Sequence, residues 1–398
     1  MANAKARAGR YFAFAPRAGD NAWLDLVRTI AIALVLVRHG YQASAASQDA
    51  APAFLHALAM NGWVGVDLFF VLSGYLISRH LLRAGFGTGR FVLWRYLAMR
   101  ALRIVPAYLA VMALILVAAF PLYRVDPVHL DVRVAYHLLF LQDYLPSNIN
   151  VVFWSLGVEE KFYLVAPLLV WLALVQKTLA RKLLVLSLIA AVSPALRAWT
   201  YVQASPADYV HFFQILRSPF HACLEPLVAG VAIAVAQTAG VVRPSQAAGR
   251  RLFALALLVL TAWLVSHEFM RTIGAFDAVL QPAGIAGLCG LVTLAAIRLN
   301  GTPVPFEALS RVVARLSYAL YLVHYPLVPL ALAVSAAAAS PAVAFWAVYL
   351  AIAFAAAALL HWVIEKPFLK VKDELSRGAA PRDVPVGRLA SYDNARAG

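Results

Sequence analysis

The sequence has few charged residues. Only 13% of its 398 residues are Asp, Glu, Lys or Arg, whereas 63% are hydrophobic and the mean hydropathy is +0.76. A soluble globular domain carries about a quarter charged residues. The composition therefore excludes an ordinary soluble domain and predicts an all-α polytopic membrane protein.

Cysteine is nearly absent as well. Cys223 and Cys289 both lie in apolar stretches, far from each other in the chain. This excludes a disulfide framework and the paired spacing of zinc ligands, and we expect no metal. Nor does the chain show an internal repeat, an absence that weakly disfavours the inverted-repeat folds of transporters.

Acidic residues are fewer than basic ones, 19 against 34, giving a formal net charge of +15. The basic residues are scattered between apolar spans, so we attribute them to cytoplasmic loops and not to nucleic-acid binding. Apolar windows predict about ten transmembrane helices with both termini in the cytoplasm: 24–43, 62–82, 102–122, 153–175, 182–202, 216–239, 252–268, 276–297, 314–333 and 342–363.

The predicted domain organisation has three parts. Residues 1–20 form a basic cytoplasmic tail, residues 21–370 a transmembrane domain, and residues 371–398 a flexible cytoplasmic tail. The segment 133–145 is too short to span and is predicted to lie along the outer interface. Abundant Ala, Arg and Val suggest a bacterial origin, and hence the inner (plasma) membrane with its lipids as surroundings.

The first predicted span, "LDLVRTIAIALVLVRHGYQ", carries Arg28 and His39. Eleven residues of α-helix make about three turns, so both side chains share one face, roughly 16 Å apart along the axis. Ionisable groups inside a membrane are costly and mark functional sites. The two residues therefore look like parts of one cavity.

The predicted orientation of the spans also gives the depth in the membrane of other polar residues. Asp67 in "GWVGVDLFFVLSGYLIS" and Glu159 in "FWSLGVEEKFYL" lie on spans that enter from outside, near the depth of His39. Arg100 and Arg103 are i,i+3 neighbours at the cytoplasmic surface, suited to binding phosphate. The role of His324 in "SYALYLVHYPL" stays open, with a packing residue the more common outcome.

These stretches together resemble the acyltransferase 3 family of integral-membrane O-acyltransferases. Arg28 and His39 match an Arg-x10-His signature, and "DLFFVLSGYLIS", "RALRIVPAY", "WSLGVEEKFYL" and "SYALYLVHYPL" follow in the expected order over roughly residues 20–370. The resemblance implies transfer of an acyl group, usually acetyl, from cytoplasmic acyl-CoA to a hydroxyl. By the same resemblance, Arg28 and His39 match the essential pair, Arg100 and Arg103 a basic motif, and Glu159 an acidic position.

One stretch departs from the family pattern. "FHACLEPLVAG" (220–230) resembles a region in which an arginine usually stands two residues before an acid. Here Cys223 occupies the arginine position and Glu225 the acidic one. Contacts to the acceptor inferred from this stretch are therefore not carried over.

The expected mechanism joins these residues. Arg28, Arg100 and Arg103 would hold the phosphates of acetyl-CoA or another acyl-CoA, and His39 would act as general base or would itself be acylated. Asp67 or Glu159 could orient its imidazole. The expected acceptor is a hydroxyl of a surface or lipid-linked glycan. Alternatives are a small hydrophobic natural product such as a macrolide, and a transporter or flippase without acyl transfer. Acceptor identity, acyl chain length and oligomeric state stay open.

Overall fold

The computed structural model describes residues 14, 20–84, 86, 92–145, 148–204, 206, 208–266 and 274–377, and every regular element in these ranges is helical. The α-helices of the first half are α1 (Ala22–Ala43), α2 (Ala45–Ala50), α3 (Ala53–Met60), α4 (Val64–Arg83), α5 (Leu93–Leu116), α6 (Leu130–Leu138), α7 (Trp154–Leu174), α8 (Leu179–Ala190) and α9 (Val192–Ala204). Those of the second half are α10 (Tyr209–Phe212), α11 (Leu224–Thr238), α12 (Gln246–Ser266), α13 (Ala275–Val279), α14 (Gln281–Arg298), α15 (Glu307–Ser335), α16 (Pro341–Leu360) and α17 (Lys366–Arg377).

Within the described residues, eight helical stretches are long and apolar enough to cross a membrane: Val64–Arg83, Leu93–Leu116, Leu179–Ala204, Phe220–Thr238, Gln246–Ser266, Gln281–Arg298, Glu307–Ser335 and Pro341–Leu375. The all-helical membrane class is thus confirmed. Two further predicted spans correspond to α1 and α7, which have 22 and 21 residues but carry several charges. The count of ten and the orientation of the termini stay predictions.

Several boundaries differ from the predicted ones. Helix α5 begins at Leu93, not at 102, and Leu93 and Trp94 at its start are exposed. The predicted span 182–202 consists of α8 and α9 with Ala191 between them. Helix α17 continues to Arg377, so residues 371–377 of the predicted tail are helical, and the rest of that tail lies outside the described residues. The predicted interfacial segment 133–145 overlaps the short helix α6, which begins before it, at Leu130.

Burial separates central from peripheral helices. In Val64–Arg83, 72% of the apolar window is buried, against 11% in Leu179–Ala204. Helix α4 crosses α11 so closely that a Cβ at Gly74 would overlap the carbonyl oxygen of Leu227, and one at Gly230 that of Val71. Small residues at such crossings let membrane helices pack backbone against backbone. Helix α4 is thereby held at the centre of the bundle.

The backbone between α10 and α11 is irregular. A π-helical turn, Phe213–Arg217, is followed by a 3-10 turn, Phe220–Cys223. Irregular backbone at membrane depth requires burial in protein or contact with a water-filled cavity, and π-helical turns are frequent at functional sites. This segment places the buried Arg217 against α4.

Candidate active site

A pair of histidines joins α1 to α15. His39 Nδ1 lies 3.0 Å from His324 Nε2, and His324 Nδ1 lies 3.0 Å from the carbonyl oxygen of Leu320. A carbonyl oxygen only accepts hydrogen bonds, so in neutral His324 the proton is on Nδ1 and Nε2 is an acceptor. His39 must then donate from its own Nδ1. The chain of contacts leaves His39 Nε2 as an unprotonated nitrogen.

The His39 cavity is the space of about 170 Å³ in front of this imidazole. Its walls come from α1, from α4 and the residue before it, from α7 and the turn before it, from the segment 209–217 and from α15. Tyr325 meets the His39 ring edge to face, with 5.3 Å between ring centroids. Arg38 and Arg217 also line this cavity. The unprotonated nitrogen of His39 is therefore in an aromatic site with guanidinium groups in its walls.

The Arg28 cavity is a second space, of about 100 Å³, lined by Arg28, Arg103 and Glu159. Arg28 donates to Asp25 over 2.7 Å, and Ser73 donates to Glu159 over 2.6 Å. Arg103 is exposed, so its guanidinium is accessible at the mouth of this cavity. Guanidinium groups bind phosphate bidentately, which makes this space suited to an anionic ligand.

The two cavities meet at Val66 and Tyr321, which line both. The Tyr321 hydroxyl donates to the carbonyl oxygen of Val152 over 2.9 Å and lies 2.6 Å from the Ser155 hydroxyl. These hydrogen bonds hold the ring at the junction. A ligand that extends from Arg28 to His39 must pass this residue.

Asp67 and Glu159, which the sequence offers as partners of His39, have other partners in the structure. Asp67 accepts from Arg217 over 2.9 Å, and both groups are buried. Glu159 lies in the Arg28 cavity, bonded to Ser73. The position next to the His39 Nδ1 atom belongs to His324, a residue that the sequence favours as packing only.

Arg100 and Arg103 share a helix face in the sequence, but their side chains have different surroundings in the structure. Arg103 lines the Arg28 cavity, whereas the Arg100 guanidinium lies over the Tyr96 ring, 5.7 Å from its centroid. Arg100 does not line the Arg28 cavity. Of the predicted cofactor-binding arginines, the structure brings Arg28 and Arg103 together.

In the stretch 220–230, which departs from the family pattern, the acidic residue has an arginine partner in the structure. Glu225 is bonded to Arg197 of α9, whose Nη1 lies 3.1 Å from Glu225 Oε2 and donates to the carbonyl oxygen of Ala222 over 2.7 Å. Arg197 is 1% exposed. Cys223 has no guanidinium to pair with Glu225, and Arg197 of a neighbouring helix supplies one instead. Removing either partner of such a buried ion pair lowers the free energy of unfolding by about 3–5 kcal/mol.

Sequence reasoning missed Arg217, Asp25 and Tyr321 as well as the partner of His39. A charge inside the predicted span 216–239 was the available signal for Arg217. Within the described residues, no three His, Cys, Asp or Glu side chains are grouped so that they could hold a metal ion.

The fold and the site define a polytopic membrane protein with an enzyme-like centre. Membrane-length helices surround two meeting cavities, of which one has a hydrogen-bonded histidine pair and the other has arginines. The chain belongs to the acyltransferase family whose model, described as an acyltransferase domain, matches residues 21–362. The resemblance found in the sequence motifs is thereby confirmed.

Curated relatives are similar over part of their length. The peptidoglycan O-acetyltransferase OatA of Listeria monocytogenes is 26% identical over 311 residues, covering 68% of this chain and 46% of that protein. The O-acetyltransferase OatA of Staphylococcus aureus is 29% identical over 123 residues, covering 28% of this chain and 20% of that protein. The chain thus spans less than half the length of these relatives. No solved structure matches.

Proposed function

We propose that the protein is a membrane-bound O-acyltransferase that moves an acyl group, in the simplest case acetyl, from cytoplasmic acyl-CoA to a hydroxyl of a glycan on the opposite side of a bacterial inner membrane. The observation that carries this proposal is the meeting of the two cavities at Val66 and Tyr321. One presents arginines to a phosphate-rich donor, and the other presents a basic nitrogen to a hydroxyl. The named activity of the Listeria relative, on peptidoglycan, favours a glycan acceptor.

The donor would bind with its phosphates at Arg28 and Arg103. The pantetheine arm is then directed past Tyr321 toward His39, a distance of roughly 16 Å along α1. This length suits an extended pantetheine. The thioester carbonyl would come to rest in the His39 cavity, remote from the charged end of CoA.

The reaction follows from the protonation of the histidine pair. His39 Nε2 removes the proton from the acceptor hydroxyl as the oxygen attacks the thioester carbonyl carbon. The tetrahedral intermediate then breaks its carbon–sulfur bond, and His39 returns the proton to the CoA sulfur. An ester and free CoA are the products. The same nitrogen is also free for the two-step route, in which it attacks the thioester itself before the hydroxyl accepts the acyl group.

His324 would act through His39. Its neutral Nε2 accepts from His39 Nδ1–H, which fixes both the tautomer and the ring orientation, the task of the carboxylate in a Ser-His-Asp triad. A neutral acceptor stabilises an imidazolium less than a carboxylate does.

The test uses proteoliposomes with known orientation. Labelled acetyl-CoA is added on the side of the basic loops, and chitotetraose, an oligomer of N-acetylglucosamine, is trapped on the other. We expect labelled ester on the trapped sugar and equimolar CoA outside.

Two outcomes would contradict the proposal. Label transferred only when both substrates share one side would exclude the two-sided cavity. Movement of unmodified sugar or CoA across the bilayer without loss of thioester would indicate a transporter. Acylation of an added macrolide in place of the sugar would assign a hydrophobic acceptor.

Arg103→Ala should weaken CoA binding, because a charge-assisted contact to phosphate is worth about 1.5–3 kcal/mol. This corresponds to a Kd increase of roughly 10- to 150-fold. Arg100→Ala is the matched control on the same helix, with a smaller expected effect because Arg100 lies over Tyr96. Equilibrium binding of labelled CoA to detergent-purified variants measures both. Equal losses of CoA affinity in the two variants would contradict this prediction, because only Arg103 of the two lines the Arg28 cavity.

A further inference from the structure

Helix α17 and the start of α5 form a pair at one end of the bundle. The 35 residues Pro341–Leu375 are one helical stretch through α16, the π-helical turn His361–Glu365 and α17. About 20 residues are enough to cross the hydrocarbon core, and α16 alone has 20. Helix α17 packs against α5, where Arg95 donates to the carbonyl oxygen of Leu375 over 2.7 Å. The pair therefore lies at the level of the lipid headgroups, on the side of the basic loops.

Four basic side chains from three helices meet at this pair. They are His80 of α4, Arg95 and Arg100 of α5, and Lys372 of α17, and we call them the basic corner. The charges of Arg95, Arg100 and Lys372 are all close enough to act on His80. Converging cations repel one another, so an anion bound among them is stabilised by each of them.

Arg100 has no acidic partner of its own. Its guanidinium lies over the Tyr96 ring, 5.7 Å from the centroid, and forms no hydrogen bond or ion pair within the described part of the chain. Glu159 and Glu160 of α7 act on its charge from a distance without bonding to it. Of its three nitrogens only Nε is enclosed without a partner, so Nη1 and Nη2 keep accessible surface. These two atoms can bind a phosphate bidentately.

Helix α17 adds further positive charge next to Arg100. Its basic residues are Lys366, Lys370, Lys372 and Arg377, and its acidic residues are Asp373 and Glu374. Four basic residues against two acidic ones give this helix a net charge of +2. Lys372 is only loosely paired, with 3.7 Å between its Nζ and Asp373 Oδ1. Basic groups on such a helix attract the anionic lipids of the leaflet beside them.

Exposed apolar side chains adjoin the basic corner. Trp94, in the first turn of α5, is 78% exposed. On α17, Phe368, Val371 and Leu375 are exposed, and their spacing of three and four residues places them on one helix face. Exposed apolar patches mark contacts with protein or membrane, and tryptophan is enriched at the level of the headgroups. These side chains are therefore suited to the boundary between headgroups and acyl chains.

Cations next to exposed apolar side chains match the two parts of a phospholipid, its phosphate and its acyl chains. A free phosphate or a nucleotide would bind the cations but leave Trp94 and the apolar face of α17 in water. A zwitterionic lipid carries a cation of its own beside the phosphate, which the basic corner would repel. A lipid with a net negative charge satisfies both parts of the surface.

We propose that the basic corner binds the phosphate of an anionic phospholipid, with Arg100 as its main contact and with Trp94 and the apolar face of α17 beside the acyl chains. The site lies outside the Arg28 cavity, because none of the four side chains of the basic corner lines that cavity. It therefore does not depend on the donor or the acceptor of the proposed reaction.

The test measures lipid binding to the detergent-purified full chain by native mass spectrometry, without donor. The lipids are dioctanoyl phosphatidylglycerol, which is anionic, and dioctanoyl phosphatidylcholine, which is zwitterionic. Arg100→Gln removes the main contact, Lys372→Gln removes one charge of α17, and Trp94→Ala removes an apolar contact. The matched control is Arg250→Gln, which removes an exposed arginine of α12 outside the basic corner. Inorganic phosphate and CoA are added as competitors.

We expect one saturable site that binds phosphatidylglycerol at least about 5-fold more tightly than phosphatidylcholine. Arg100→Gln should raise the Kd for phosphatidylglycerol by about 10-fold or more, because it removes a charge-assisted contact to phosphate. Lys372→Gln should raise it by about 3- to 5-fold. Trp94→Ala should weaken the binding of both lipids, and Arg250→Gln should leave Kd unchanged. Lys372 is only half-buried, so its variant keeps the test valid if Arg100→Gln fails to fold.

Three results would overturn the inference. Equal affinity for the two lipids would show that the net charge of the lipid does not matter. An equal loss of affinity in Arg250→Gln and Arg100→Gln would indicate attraction to the whole basic surface and no defined site. Displacement of the lipid by inorganic phosphate would assign a free anion, and displacement by CoA would assign Arg100 to the donor.

Discussion

Replacing His39 by alanine should lower acyl transfer by ~10²–10⁴-fold at saturating donor, the usual loss when a general base is removed. Its Nε2 is the nitrogen left unprotonated by the contacts among His39, His324 and Leu320. CoA binding should stay within a factor of about three, since Arg28, where we propose that the donor phosphates bind, is some 16 Å away along α1. Steady-state kinetics and CoA binding of the purified variant measure the two quantities.

The control for His39→Ala is His56→Ala, which removes a histidine bonded to the Tyr41 hydroxyl over 2.9 Å. His56 lines neither the His39 cavity nor the Arg28 cavity. Turnover of His39→Ala within about threefold of the wild type would exclude His39 as base and as acyl carrier. Trapping of an acyl group on wild-type protein in the absence of acceptor would distinguish the carrier from the base.

Replacing His324 by alanine should lower kcat by ~10–100-fold, the cost typical of removing a group that orients a metal-binding histidine, which we take as the guide for this pair. Without His324 Nε2, the His39 ring loses its side-chain hydrogen-bond partner, and the tautomer with the proton on Nδ1 is stabilised less. His324→Gln should recover part of the activity, because an amide oxygen can also accept from His39 Nδ1–H. The KM for donor should be unchanged in both variants.

A purely structural role of His324 predicts a different result. His324 is fully buried, so a packing role would lower the melting temperature in both variants and give no selective recovery with glutamine. The decisive measurement is the pH dependence of kcat in wild type and His324→Gln, together with the melting temperatures. Equal kcat losses in the alanine and glutamine variants, with an unchanged pH profile, would contradict the positioning role.

The sequence predicted the broad features of this molecule. Low charge and long apolar runs are sufficient to predict a helical membrane protein, and five ordered motifs predicted the family that the family model confirms. Helical periodicity placed Arg28 and His39 on one face, and the structure has one of them in each of two meeting cavities. These features follow from local order in the chain.

Contacts between helices that are far apart in the chain could not be predicted from the sequence. His39 and His324 are 285 positions apart, and neither sequence neighbourhood indicates that α1 and α15 meet at that depth. The same holds for Asp67 and Arg217, 150 positions apart. A single sequence gives helix faces but not the rotation of one helix against another, and that rotation decides which polar groups pair.

The two cavities meet at Tyr321 and Val66, which line both of them, and this has an electrical consequence. Water on both sides of this junction would concentrate the transmembrane voltage across it, where each elementary charge moved is worth about 2.3 kcal/mol per 100 mV. If the proposed donor passes this point, the protein must also keep water and protons from crossing it. The hydrogen bonds of the Tyr321 hydroxyl to Val152 and Ser155 hold the ring in place. On the proposed mechanism, the ring that the donor passes would therefore also be the barrier against proton leakage.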